Sequence, residues 1–66
     1  MKKITDYDRG YWIAVQNAAS FDLQADRQAV KALIRDAGFD RDTCLKLMEE
    51  NDFNAEIIHP VVDEMY

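Results

Sequence analysis

The chain has 66 residues, 13 of them acidic against 8 basic, giving a net charge of −5. At this length there is room for one domain, which buries only about 60% of the surface its unfolded chain exposes. A hydrophobic fraction of 48% excludes an intrinsically disordered chain, and two Gly and one Pro are too few for the turns of a many-stranded sandwich or barrel. An all-α bundle of three to four short helices is the expectation.

The charge is unevenly divided. Residues 1–33 hold four acids and five bases, whereas residues 34–66 hold nine acids and only Arg35, Arg41 and Lys46, a net of −6. That balance opposes phosphate backbones and anionic membrane surfaces, so neither direct nucleic-acid binding nor membrane binding is expected. The basic start, Met1-Lys2-Lys3, is followed by Thr5, Asp6, Asp8 and Arg9 instead of an apolar signal-peptide core. The single Cys44 cannot form an internal disulfide, and the cytosol is the expected location.

Asp6 is positioned to cap a first helix over Tyr7–Ala19, in which Tyr7, Tyr11, Ala14, Val15, Ala18 and Ala19 recur at three- and four-residue spacings. Trp12 widens this apolar face. Tyr11 and Trp12 are adjacent, so only one of them can point straight at the core. Gly10 weakens the helix near its start.

Ser20-Phe21-Asp22 reads as a turn, with Asp22 capping a second helix over Leu23–Ala37 whose stripe is Leu23, Val30, Leu33, Ile34 and Ala37. Gly38 stops it. With Gly38 left-handed, Phe39 follows at the position whose apolar contact with Ile34 completes a Schellman stop. Asp40 then caps a third helix over Arg41–Glu50, with Cys44, Leu45, Leu47 and Met48 inward and Phe39 as its preceding apolar staple.

Asn51-Asp52-Phe53-Asn54 makes the next turn, and Asn54 is placed to cap a fourth helix starting at Ala55. Its apolar set is Ile57, Ile58, Val61, Val62 and Met65. Pro60 interrupts this segment, which must either kink or restart with Pro60 in its first turn.

The string Gly38-Phe39-Asp40-Arg41-Asp42-Thr43-Cys44-Leu45-Lys46-Leu47-Met48-Glu49-Glu50-Asn51, followed by Asn54-Ala55-Glu56, resembles the UBA-like fold of ubiquitin-associated domains and of the N-terminus of the elongation factor Ts family. With Val30-Lys31-Ala32-Leu33 the resemblance covers about half the chain, residues 30–58. It departs from the family at Ala37, where ubiquitin-binding members carry a larger apolar residue, and at Pro60. The resemblance implies a partner surface on the Gly38-Phe39 loop and the end of the last helix, here Val62 and Met65, and ubiquitin as one partner.

Chemistry-bearing residues are sparse. Cys44 and His59 lack the spacing of a nucleophile and base, and Cys44 falls in an apolar stripe where a free thiol acts as a small hydrophobe. One Cys and one His are too few for a structural zinc site, and Asp36, Asp40 and Asp42 do not match a calcium loop. No glycine-rich phosphate loop precedes a helix. No enzyme activity, metal or cofactor is expected.

What is left points to another protein as the partner. Tyr7, Tyr11 and Trp12 are either core or interface anchors, since aromatics bury much area at small entropic cost. Asp40, Asp42, Glu49, Glu50, Asp52, Glu56, Asp63 and Glu64 make either a solvated face or a surface for a basic partner. Three readings follow. The first is a non-catalytic docking module or small regulator; the second is an acidic inhibitor imitating nucleic acid, as phage-encoded inhibitors do; the third is a homodimer sharing one core.

Overall fold

A computed structural model of the chain describes residues 3–20 and 26–66. Among these residues there are four helices and no strand: α1 (Asp6–Ala18), α2 (Arg27–Ala37), α3 (Arg41–Glu50) and α4 (Ala55–Met65). The all-α expectation holds.

The cap of α1 is Thr5, one residue before the expected Asp6. Thr5 Oγ1 accepts from the Asp8 backbone N–H at 3.2 Å, and the Thr5 N–H donates back to Asp8 Oδ2 at 3.0 Å, a reciprocal capping box. Two orphan donors are thereby satisfied at once, which Asp6 as cap would not achieve. The buried stripe of α1 is Asp8, Trp12, Val15, Gln16 and Ala19, rotated from the predicted one, so that Tyr7 and Ala14 face outward. Trp12 therefore centres the face it was expected only to widen.

The described helix α2 begins at Arg27 with Asp26 as its cap: Asp26 Oδ1 accepts from the Ala29 backbone N–H at 3.0 Å. The expected turn at Phe21, the expected cap Asp22 and the expected first residue Leu23 lie outside the described residues. The Asp26 backbone N–H donates to the Ala18 carbonyl at 3.0 Å, which ties the beginning of α2 to the end of α1.

Gly38 ends α2 in the left-handed region at φ 73°. Its N–H donates to the Arg35 carbonyl at 3.0 Å and that of Phe39 to the Ile34 carbonyl at 3.3 Å, the bond pair of a Schellman stop. Asp40 caps α3 as expected, with Oδ1 accepting from the Thr43 N–H at 2.7 Å. Thr43, Cys44, Leu47 and Met48 are buried, while Leu45 is only half-buried.

α4 begins at Ala55 and runs unbroken through Pro60. Pro60 is exposed, so the donor it lacks falls on the solvent side of the helix, away from the core. Asn54 precedes α4 but does not cap it with its side chain; its backbone is left-handed at φ 58°. Its Nδ2 donates instead to the Gln16 carbonyl of α1 at 2.9 Å.

One core joins the helices. Trp12, Val15 and Ala19 from α1 and its end meet Val30 and Ile34 of α2, Phe39, Cys44, Leu47 and Met48 around α3, and Ile57, Ile58, Val61 and Val62 of α4. Burial of these side chains is the dominant stabilising term, at roughly 1.5–3 kcal/mol for each large aliphatic or aromatic group. Exposed ion pairs Lys31–Glu64 (3.4 Å) and Arg41–Asp63 (2.9 Å) link α2 and α3 to α4 and add little by comparison.

Candidate functional site

Of the aromatics expected as docking residues, Trp12 and Phe39 are buried, Tyr11 is half-buried and Tyr7 is exposed. Tyr7 and Tyr11 lie one turn apart on α1 with ring centroids at 5.9 Å. Phe39, held in place by the Gly38 stop, meets the edges of Tyr11 at 6.1 Å and Trp12 at 6.2 Å. Tyr66 Oη donates to the Phe39 carbonyl, so the last residue of the chain helps cover this loop. Trp12 and Phe39 are thus core, as is Val62. Of the predicted contact set, only Tyr7, Gly38 and the half-buried Tyr11 and Met65 present surface.

Burial is also the main reason that the phenols of Tyr11 and Tyr66 ionise above the usual tyrosine range; the charge of Asp36 adds to it at Tyr11, and Cys44 and Asp40 add to it at Tyr66. Cys44 is sealed in the core, and its thiol is pushed up to about 12 by burial and then by the charge of Asp40. Such a thiol is protonated at neutral pH and a poor nucleophile. His59 stands apart on the exposed side of α4, with Nδ1 at 3.2 Å from Asp63.

All eight predicted surface acids are exposed, but they do not form one free face. Asp40 serves as the α3 cap, where Thr43, through its nearby side chain and its backbone N–H, holds the carboxyl below the usual range. Glu50, Asp63 and Glu64 are paired with Arg9, Arg41 and Lys31. Asp42, Glu49, Asp52 and Glu56 make no ion pair among the described residues. No group of three His, Cys, Asp or Glu side chains among the described residues is placed to hold a metal.

A different region carries the features of a contact site. α1 and α3 do not close against each other along their whole length, and a partly open cleft of about 290 Å³ lies between them. It is lined by Arg9, Trp12, Ile13, Leu47, Glu50 and Asn51. The Arg9 Nε–Glu50 Oε1 pair at 3.1 Å crosses it, and Arg9 Nη1 also contacts Asp6 at 3.2 Å. Beside it, Gln16 Nε2 donates to the Asn51 carbonyl at 3.1 Å and fastens the α3–α4 turn to α1.

Ile13 at the cleft is 54% exposed, and Phe53, in the turn that begins with Asn51, is 56% exposed. Trp12 lines the cleft with its indole N–H buried and without a hydrogen-bond partner. Sequence reasoning passed over Arg9, Ile13, Leu47, Asn51 and Phe53 as site residues. The available signal was Ile13, an apolar residue off the predicted α1 stripe, and Phe53, an aromatic in an otherwise polar turn.

Comparisons with protein-family models, with curated proteins and with solved structures gave no match. No helix among the described residues is long and apolar enough to cross a membrane.

Proposed function

We propose that this chain is a small, non-catalytic docking module that acts by binding another protein. The observation that carries this reading is Ile13, more than half exposed at the lip of the partly open α1–α3 cleft, with a second exposed apolar side chain, Phe53, two residues along the chain from the lining residue Asn51. Large side chains of this kind contribute most when a partner covers them, because contact with water is what makes their exposure unfavourable. An exposed apolar side chain at the lip of an apolar-floored cleft is the kind of surface that a partner's anchor residue covers.

Imitation of nucleic acid is less well supported. Glu50, Asp63 and Glu64 are neutralised by cations of the same chain, which breaks the run of free carboxylates that such imitation needs. Ubiquitin recognition through the Gly38-Phe39 loop has less support too, since Phe39 and Val62 are buried.

The test is affinity capture from the native cell with wild-type protein and with Ile13→Asp and Phe53→Asp, washed at low and high salt. A partner retained in high salt and lost from both variants is the expected result. A partner that binds both variants as well as wild type, and leaves in high salt, would favour the acidic face instead.

A further inference from the structure

We infer that the α1–α3 cleft is a socket for a single apolar side chain carried on a positively charged segment of the partner protein. This rests on the docking reading above and adds to it the surface used and the chemistry of what it receives. Shape comes first. At about 290 Å³ and partly open, the cleft sits at the lower edge of small-molecule pockets, roughly 300–1,000 Å³, and suits an anchor side chain better than a whole ligand.

The lining agrees with that occupant. Trp12 and Leu47 supply an apolar floor, and Ile13 forms an exposed apolar lip. An anchor seated there covers Ile13 and removes from water the surface that the fold leaves open.

Charge then selects the partner. Arg9 is shared between Asp6 and Glu50, so this rim cluster keeps one uncompensated negative charge. Glu49 and Asp52, on either side of Glu50-Asn51 in the chain, are exposed and in no ion pair. Even with Lys46, one turn earlier on α3, four acids stand against two bases. A segment with Lys or Arg flanking its anchor is steered to such a rim, whereas a second copy of this chain, at −5, is repelled from it.

Selection of a displayed library of random 12-residue peptides on immobilised protein tests the inference. Enriched peptides are expected to be net positive with a Leu, Ile, Met or Phe anchor. A resynthesised peptide of that kind should alter the emission of Trp12, the only tryptophan, and bind Ile13→Asp at least tenfold more weakly. The doubly exposed variant Glu49→Lys/Asp52→Lys provides the same contrast should Ile13→Asp fail to fold. Enrichment of neutral or acidic peptides, or equal binding to wild type and both variants, overturns this inference while leaving docking elsewhere on the protein intact. Self-association of the protein that is lost in Ile13→Asp overturns the choice of occupant. No enrichment over bare support overturns the docking reading itself.

Discussion

The two glycines should respond in opposite directions to the same substitution. Gly38 sits at φ 73°, where an L-residue costs roughly 1–2 kcal/mol, and a methyl group there would meet nothing within 4 Å. The penalty for Gly38→Ala is therefore pure backbone strain with no packing component. Part of it is offset because alanine narrows the unfolded ensemble by about 0.4–1 kcal/mol, leaving a net loss of about 1 kcal/mol. Gly10 lies in the interior of α1 with equally open space around it and no positive φ. Gly10→Ala should stabilise by about 0.5–1 kcal/mol. In a domain of this size about 1 kcal/mol moves Tm by roughly 4–8 °C, so the two variants should straddle wild type and differ by about 10 °C. Thermal and urea unfolding followed by circular dichroism and Trp12 emission reads both. A Gly38→Ala protein as stable as wild type would refute the Schellman stop, and a destabilised Gly10→Ala would mean that something approaches α1 at that point.

Four further outcomes rest on the core and its caps. Phe39→Ala should cost about 3–5 kcal/mol, because it empties the space between Tyr11 and Trp12, and so take much of the stability of a domain this small; urea titration measures it. Asp26→Ala should cost about 1 kcal/mol by freeing the Ala29 N–H, seen as a lower urea midpoint. Cys44 should resist a thiol reagent at pH 8 in the folded protein and react promptly in denaturant. Since its folded pKa, about 12, is raised above the unfolded value near 9, the folded state holds more protons between these values. The stability it contributes is complete below pH 9 and lost as pH rises from there towards 12. Cys44→Ala should flatten that alkaline decline, although Tyr11 and Tyr66, raised in the same direction, will leave part of it.

The middle of the chain was the most legible because its signals are local. Gly38, the flanking Phe39 and the Asp40 cap each act within a few residues, and α2 ends and α3 begins where they direct. The face of α1 was not legible, since its buried stripe includes Asp8 and Gln16, which hydropathy reads as outward. Both are tolerated for reasons distant from composition: Asp8 closes the capping box, and Gln16 bonds the Asn51 carbonyl 35 residues away. Asn54 misled in a related way, because its side chain found the Gln16 carbonyl in place of its own helix. Pro60 left a choice between kink and restart, and the continuity of α4 from Ala55 to Met65 excludes the restart. The candidate site was the least legible part, because the cleft arises from how α1 and α3 meet and not from any motif.

On the docking reading, the face bearing Ile13 is covered by another protein in the cell. Photocrosslinking tests it most directly, with a benzophenone amino acid placed at position 13 and, as a control, at the exposed position 32 of α2. A discrete crosslinked protein from position 13 and none from position 32 is the expected result. Crosslinking from position 32 alone, or none from position 13 under conditions that keep the protein folded, would contradict it.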